Sequence, residues 1–282
     1  MRHFLFFTMA GLLAAQDNAD WENPVRKLLK EGKPVIAATI TTPSAEVAAT
    51  AASLGYDLLW IEMEHSPITL ETARNMILAT RGLKAIPFIR VPVNELWTAK
   101  RALDIGALGV IFPFTSTPEL AKQAAAATKY PPLGRRGYGP GLASGRWPAP
   151  EGYAKFADKN TMTIIIIEEG RAVDKIDEIA ATPGIDVLFV GTSDLSQSLG
   201  VPQQFDHPKM KEALDKILAA GKKYNLPVGR PAATPALIQR YLAEGFRFIQ
   251  APADSNLYAV GSQPLLDILG KKGADPKTRP IY

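Results

Sequence analysis

Thr161-Met162-Thr163-Ile164-Ile165-Ile166-Ile167-Glu168-Glu169 (residues 161–169) is the stretch on which the reading of the fold turns. Four consecutive isoleucines leave no face for water. A strand of this kind is buried on both sides, as in a parallel sheet covered by helices. The run then ends on two carboxylates, which are costly to bury unless paired or bound to a cation.

Working outward, the same alternation repeats in both directions. Apolar, β-branched runs predict strands over residues 34–40, 57–63, 85–91, 108–114, 161–167, 186–190, 227–230 and 246–251. Helical patterns fall between them, over 43–54, 69–81, 95–105, 118–128, 172–181, 208–223, 235–244 and 256–269, with a further segment at 193–199. Eight strand–helix units in one α/β domain predict a closed (β/α)8 TIM barrel. The competing fold, an open doubly wound sheet, would carry a Gly-rich phosphate loop after its first strand, and none follows Ile40. Thr117-Pro118 and Thr234-Pro235 each set a capping hydroxyl before a first-turn proline. Gly55, Gly82, Gly106 and Gly245 are placed to close helices. One connection, residues 130–160, is too long for the rhythm. Its glycines, arginines and aromatics suit a lid or a subunit contact.

Composition narrows the chemistry. The 282 residues include no cysteine and three histidines, with 46% hydrophobic residues and a net charge of +4. Thiol nucleophiles, disulfides, thiolate zinc sites and iron–sulfur clusters are excluded. A hard divalent ion held by carboxylates is the metal chemistry that remains. No basic block or stripe calls for nucleic acid.

The first residues differ in kind. Met1-Arg2-His3, the uncharged apolar run 4–15 and the polar Gln16-Asp17-Asn18 form a secretory signal pattern, assigned to residues 1–18. The run is too short to span a bilayer comfortably. Leu13 occupies a cleavage-site position where a small residue is preferred, and a buried N-terminal helix is the alternative. The expectation is an exported protein, periplasmic or secreted, or a cytoplasmic one if the segment is retained. The barrel domain is assigned to residues 19–270 and a polar tail to 271–282.

In a barrel of this type the chemistry sits at the C-terminal ends of the strands. The polar residues there are Glu62-Met63-Glu64-His65, Arg90, Glu168-Glu169, Gly191-Thr192-Ser193-Asp194 and Asp254-Ser255. Four of them, His65, Arg90, Glu168 and Asp194, can meet around one cavity. Glu168 reads as a metal ligand or as a rim or ion-paired carboxylate. Asp194 reads as a ligand, a helix cap, or both. Arg90 suits an anionic substrate, whose carboxylate a guanidinium grips bidentately, or a structural ion pair. His65 suits a base acting near neutrality. His3 lies in the leader and His207 precedes a helix, where capping is its evident role. Asp104, on spacing alone, is an ordinary helix residue.

These residues also carry a resemblance. Glu62-Met63-Glu64-His65-Ser66-Pro67, the Arg90 strand, Leu103-Asp104-Ile105-Gly106, Tyr130-Pro131-Pro132 with Arg136-Gly137, the Glu168 strand and Val190-Gly191-Thr192-Ser193-Asp194-Leu195-Ser196 occur in that order. In that order they resemble the HpcH/HpaI family of metal-dependent class II pyruvate aldolases, over about residues 21–269. The resemblance implies a barrel of the phosphoenolpyruvate/pyruvate-domain type. It implies cleavage or formation of 4-hydroxy-2-oxo acids, giving pyruvate or a related 2-oxo acid plus an aldehyde through a metal-stabilised enolate. Glu168 and Asp194 match metal ligands for Mg²⁺, Mn²⁺ or Co²⁺. Arg90 matches the residue holding the keto acid, His65 the base and Asp104 its orienting aspartate. The backbone from Gly191 through Thr192 and Ser193 to Asp194 matches carboxylate donors, and Glu62 and Arg136 complete the set. Small-molecule partners and a homo-oligomer, hexamer or trimer, with subunits contributing to neighbouring sites, are implied as well.

Departures from the family pattern fall around the pocket. Glu62 replaces an aspartate. Met63 replaces a glycine and is expected to narrow the space near the base. Ile166 stands where a glutamine is usual, and Thr192-Ser193 replace Pro-Ala. Two other functions remain open on these residues: a metal-dependent decarboxylase or related lyase of 2-oxo acids, and an exported, non-catalytic keto-acid or sugar-acid binding protein.

Overall fold

The computed structural model describes residues 21–271. The leader assigned to residues 1–18 and all but Lys271 of the tail lie outside them. A short helix, α1 (Pro24–Lys30), opens the described chain, with the Asn23 side chain accepting from the Val25 N–H. The first strand–helix units are β1 (Val35–Ile40), α2 (Ala45–Ser53), β2 (Leu58–Glu62), α3 (Leu70–Ala79), β3 (Ile86–Arg90), α4 (Leu96–Asp104), β4 (Gly109–Phe112) and α5 (Pro118–Thr128). Two short helices follow, α6 (Gly141–Ser144) and α7 (Tyr153–Asn160). The second half runs β5 (Met162–Ile167), α8 (Gly170–Asp174), α9 (Ile176–Ala180), β6 (Val187–Val190), α10 (Thr192–Ser198), α11 (Pro208–Lys223), β7 (Val228–Pro231), α12 (Pro235–Glu244), β8 (Phe248–Ala253) and α13 (Asp254–Asp267).

Every strand pairs in parallel with its neighbour in sequence, and β8 closes on β1. The closed ring eliminates the open doubly wound alternative. Its strand pleat sorts side chains into two layers. Trp60, Phe88, Ile164, Ile166, Phe189 and Phe248 fill the interior. Leu59, Ile61, Ile89, Ile165, Ile167, Leu188 and Ile249 meet the surrounding helices. The isoleucine run of β5 is thereby explained, since two of the four face inward and two outward. Each side chain so buried contributes roughly 1.5–3 kcal/mol.

Helix starts follow the sequence closely. Ser44, Thr69, Thr117 and Thr234 each accept a hydrogen bond from a first-turn N–H. Gly245 takes φ +107° directly after α12, a conformation that favours glycine.

Three local expectations need correction. The single helix predicted over 172–181 breaks at Lys175 into α8 and α9. The break lets Val173 and Ile176 both stay buried. The strand predicted over 108–114 ends at Phe112, because Phe114 turns to φ +46° at the barrel mouth. The long connection does not close over this chain's own mouth. Trp147 Nε1 donates to the Gly106 carbonyl at 3.0 Å, and Arg146 Nη1 donates to the Ile77 carbonyl at 2.5 Å. Trp147 also packs on Trp21 and Phe156. These contacts fold residues 130–160 against the helix ends at the face opposite the mouth. Among the described residues, no helix is long and apolar enough to cross a membrane.

Candidate active site

The site is built at the C-terminal mouth by the turn after β2 and the ends of β3, β5 and β6. Trp60, His65, Arg90, Ile166, Glu168, Phe189, Gly191 to Asp194, Pro231 and Gln250 line a cavity of about 320 Å³ there. Of the residues singled out from sequence, it unites His65, Arg90, Glu168, Asp194 and the 191–194 backbone.

Glu62 organises the turn that follows β2. Its carboxylate is buried and accepts from Trp60 Nε1 at 3.0 Å, the Glu64 N–H at 2.7 Å and the His65 N–H at 3.1 Å. Arg90 Nη1 lies 3.3 Å from the same carboxylate. Glu62 therefore positions the residues around it. It has no free oxygen face for a ligand.

Arg90 extends from β3 among three carboxylates. Glu62 holds Nη1, Glu64 pairs closely with Nη2, and Glu168 Oε2 stands 3.9 Å from Nη2. A fixed guanidinium is thus aimed into the mouth. Glu64 was not among the sequence candidates. Its side chain is largely buried, and Oε2 sits 3.6 Å from His65 Nε2. Burial pushes its carboxyl up to about 7, with the Arg90 charge opposing and the neighbouring Glu168, Glu62 and Asp194 adding to the rise. Its place in the motif was visible; its inward orientation was not.

Glu168 completes the inner face of β5, in register with Ile164 and Ile166. The Phe114 N–H donates to Oε1 at 2.5 Å, which the positive φ of Phe114 permits. Oε2 is buried with no hydrogen-bond partner among the described residues. Burial raises this carboxyl to about 7; the Phe114 N–H and Arg90 lower it, and Asp194 raises it. Gly191 is required beside it, because a Cβ there would stand 2.7 Å from Glu168 Oε2. Asp194 lies in the first turn of α10. The Thr192, Ser193 and Asp194 N–H groups begin that helix, where helical geometry leaves donors open.

This donor set fits a divalent metal ion. An orphaned, buried carboxylate oxygen and an adjacent aspartate, each bearing on the other, are what a hard cation would relieve. No group of three or more His, Cys, Asp or Glu side chains among the described residues could hold an ion. Two protein carboxylates with water and substrate oxygens filling the remainder suit Mg²⁺-like coordination.

Three expected placements differ. Asp104 and Arg136 are not at this mouth. Asp104 ends α4, and an α-helix of a β/α unit finishes at the opposite face of the barrel. There it accepts from Arg136 Nη2 at 2.9 Å, while the Arg136 guanidinium stacks over the Tyr130 ring at 4.6 Å. Among the described residues of its own chain His65 therefore has no aspartate to orient it, and its side chain is 60% exposed at the rim. Met63 does not narrow the base's surroundings. It points away from the mouth to line a small apolar pocket with Leu70, Val91, Pro92 and Trp97. Ile166 does lie in the cavity, as expected, and closes its floor with carbon.

Comparison with known proteins gives a consistent result. The profile of the HpcH/HpaI aldolase/citrate lyase family matches residues 40–260. A 2-keto-3-deoxy-L-rhamnonate aldolase of Klebsiella pneumoniae is 33% identical over 270 residues, covering 94% of this chain and all of that protein. The enzyme of the same name from Salmonella gallinarum is 35% identical over 246 residues, covering 86% of this chain and 91% of that one. The crystal structure of an HpcH/HpaI aldolase/citrate lyase family protein from Burkholderia cenocepacia superposes with a TM-score of 0.82 at 32% identity, covering 88% of this chain and all of that one.

Proposed function

The chain belongs to the HpcH/HpaI aldolase/citrate lyase family and is a divalent-metal aldolase, a carbon–carbon lyase releasing pyruvate and an aldehyde from a 2-oxo acid; from that premise we propose that its substrate is a 2-keto-3-deoxy sugar acid of the rhamnonate kind. The relatives' activity supports this reading, as does a mouth of about 320 Å³ with polar groups converging on one side. The observation that carries it is the convergence of Arg90, the unpartnered Glu168 oxygen and the 192–194 N–H groups at one point.

Each residue then has a definite task. The N–H groups of Thr192 to Asp194 receive the substrate carboxylate. Glu168 and Asp194 would hold the divalent ion, Mg²⁺, Mn²⁺ or Co²⁺, through two hard carboxylate ligands. A divalent ion at that position supplies Lewis-acid polarisation of the keto group. His65 removes the proton of the 4-hydroxyl. The C3–C4 bond breaks, its electron pair moves toward C2, and the 4-carbon leaves as the aldehyde. Arg90 donates to the keto oxygen as negative charge grows there. Protonation at C3 yields pyruvate. Glu64, shared between Arg90 and His65, keeps both in place.

Among the described residues of its own chain, His65 lacks an orienting aspartate. We take the protein to be a homo-oligomer, a hexamer or trimer, in which Asp104 of a neighbouring subunit serves that role. The exposed apolar side chains of α13, among them Leu257, Val260 and Leu265, support an assembly, since no described residue covers them. The Met1–Asn18 pattern supports export with cleavage, which N-terminal sequencing of protein recovered from the native host checks.

The substrate test is direct. Purified protein with Mg²⁺ or Mn²⁺ should release pyruvate and a hydroxyaldehyde from 2-keto-3-deoxy-L-rhamnonate. Turnover of short 4-hydroxy-2-oxo acids but none of this substrate would remove the sugar-acid assignment. Carbon dioxide as the product would indicate a decarboxylase instead.

A further inference from the structure

Among the described residues, one strand carries a charge on its outer face, where the other strands mostly present apolar side chains to the helices. Arg230 of β7 points outward between α11 and α12 and is only 3% exposed. Its guanidinium lies 3.7 Å from the centroid of the Tyr241 ring and 5.2 Å from that of Phe246. Tyr241 thus backs the cation on one side, a stacking arrangement suited to arginine.

Among the described residues the guanidinium has no acceptor within hydrogen-bond distance. Nε is buried with no hydrogen-bond partner among the described residues. The nearest carboxylate oxygen, Glu244 Oε2, stands 3.9 Å from Nη1, beyond hydrogen-bond distance. Glu244 is already engaged, accepting from Arg240 Nε at 2.8 Å, and Arg240 also pairs with Asp206 at 2.9 Å. A buried guanidinium without acceptors is costly and is seldom left so in a folded protein. Burial opposes the charge, and the group's pKa is lowered accordingly.

Beside the guanidinium is space. A cavity of about 350 Å³ opens between α11 and α12, lined by the cations of Arg230, Lys211 and Arg240 and the carboxylates of Asp206, Asp215 and Glu244, with Arg240 paired to Asp206 and Glu244. Asp215 offers an acceptor for a hydroxyl group. The volume exceeds that of a simple inorganic ion and suits a compact organic acid. The cavity shares no lining residue with the mouth, although Pro231, the next residue on β7, does line the mouth.

We propose that this cavity binds a small oxyanion, a phosphate or carboxylate group on a compact metabolite, gripped by the Nη groups of Arg230 beside Tyr241. Two parallel N–H bonds from Nη1 and Nη2 to one oxyanion supply the close acceptor and the charge that Glu244, 3.9 Å away, does not. The site is separate from aldol chemistry and does not depend on which substrate the mouth accepts.

Thermal unfolding of the full, metal-free protein tests it, with inorganic phosphate and acetate titrated separately against chloride at matched ionic strength. Saturable stabilisation by about 5 °C or more is expected from one or both anions, phosphate marking a phosphoryl ligand and acetate a carboxylate. Arg90→Lys, which alters the mouth, should retain the shift; Arg230→Met should lose it. No shift beyond chloride, or an equal shift in Arg230→Met, overturns the proposal. Should Arg230→Met fail to fold, crystals of the unaltered protein soaked in selenate decide the matter. An anomalous peak beside Arg230 supports the site, and peaks confined to the barrel mouth overturn it.

Discussion

Glu168 shows how one side chain acquires its chemistry. Its position after Ile167 on a buried strand is apparent from the sequence, and so is the cost of burying it. Its pairing with the Phe114 N–H and its orphaned Oε2 depend on residues 54 positions apart and on a left-handed turn at Phe114. Glu168→Gln should weaken divalent-ion binding and lower kcat at least a hundredfold, measured by calorimetry and pyruvate release. The raised carboxyls also make a pH prediction. Glu64 and Glu168 titrate near 7 in the fold and near 4.5 in the unfolded chain. Below about 4.5 both states hold the protons. As pH rises toward 7 the unfolded state releases them while the fold retains them, so stability falls across that window. Denaturant midpoints of chelator-treated protein should decline from pH 4.5 to 7. Glu168→Gln should flatten the decline, and saturating Mg²⁺ should reverse it. An unchanged slope in the variant would remove Glu168 as its source.

At the scale of elements, the mouth is a set of strand ends carried to one point by the register of the sheet. Arg90 pairs in register with Glu62, so the β2 and β3 ends are locked before either meets a substrate. The β6–α10 junction approaches β5 closely only because residue 191 has no side chain. Gly191→Ala should leave the barrel folded, displace Glu168 and lower metal affinity by tenfold or more. Circular dichroism and metal titration measure the two effects independently. The strand-end residues His65, Arg90, Glu168 and Asp194 were legible because a barrel turns sequence position into spatial position. Glu64 was overlooked and Met63 misplaced for a common reason. Both lie in the turn beyond β2, where the alternation of a strand no longer tells inward from outward.

At the scale of the molecule, the separation of His65 from Asp104 matters most. One is at the mouth and the other at the opposite face, where it holds Arg136. If neighbouring subunits complete each site, His65→Ala and Asp104→Ala should each reduce activity strongly. Co-refolded mixtures of the two should regain part of it, because some interfaces then unite an intact His65 with an intact Asp104. No recovery, or a monomeric mass by light scattering, would confine catalysis to one chain.

The sequence by itself determined the eight-unit barrel, its helix caps and most of the mouth. Those features arise from local chemistry: burial patterns of period two and 3.6, hydroxyls before prolines, and charges at the ends of apolar runs. It also carried the family, through motifs in fixed order. Only the tertiary structure decided which of those charges meet. It brought Glu64 onto Arg90, sent Asp104 and Arg136 to the far face, turned Met63 outward, folded the long connection away from the chain's own mouth, and left Arg230 buried without an acceptor among the described residues. Each of these depends on the direction of a side chain relative to distant strands. That direction is set by closure of the ring, a long-range constraint on which no single stretch of sequence bears.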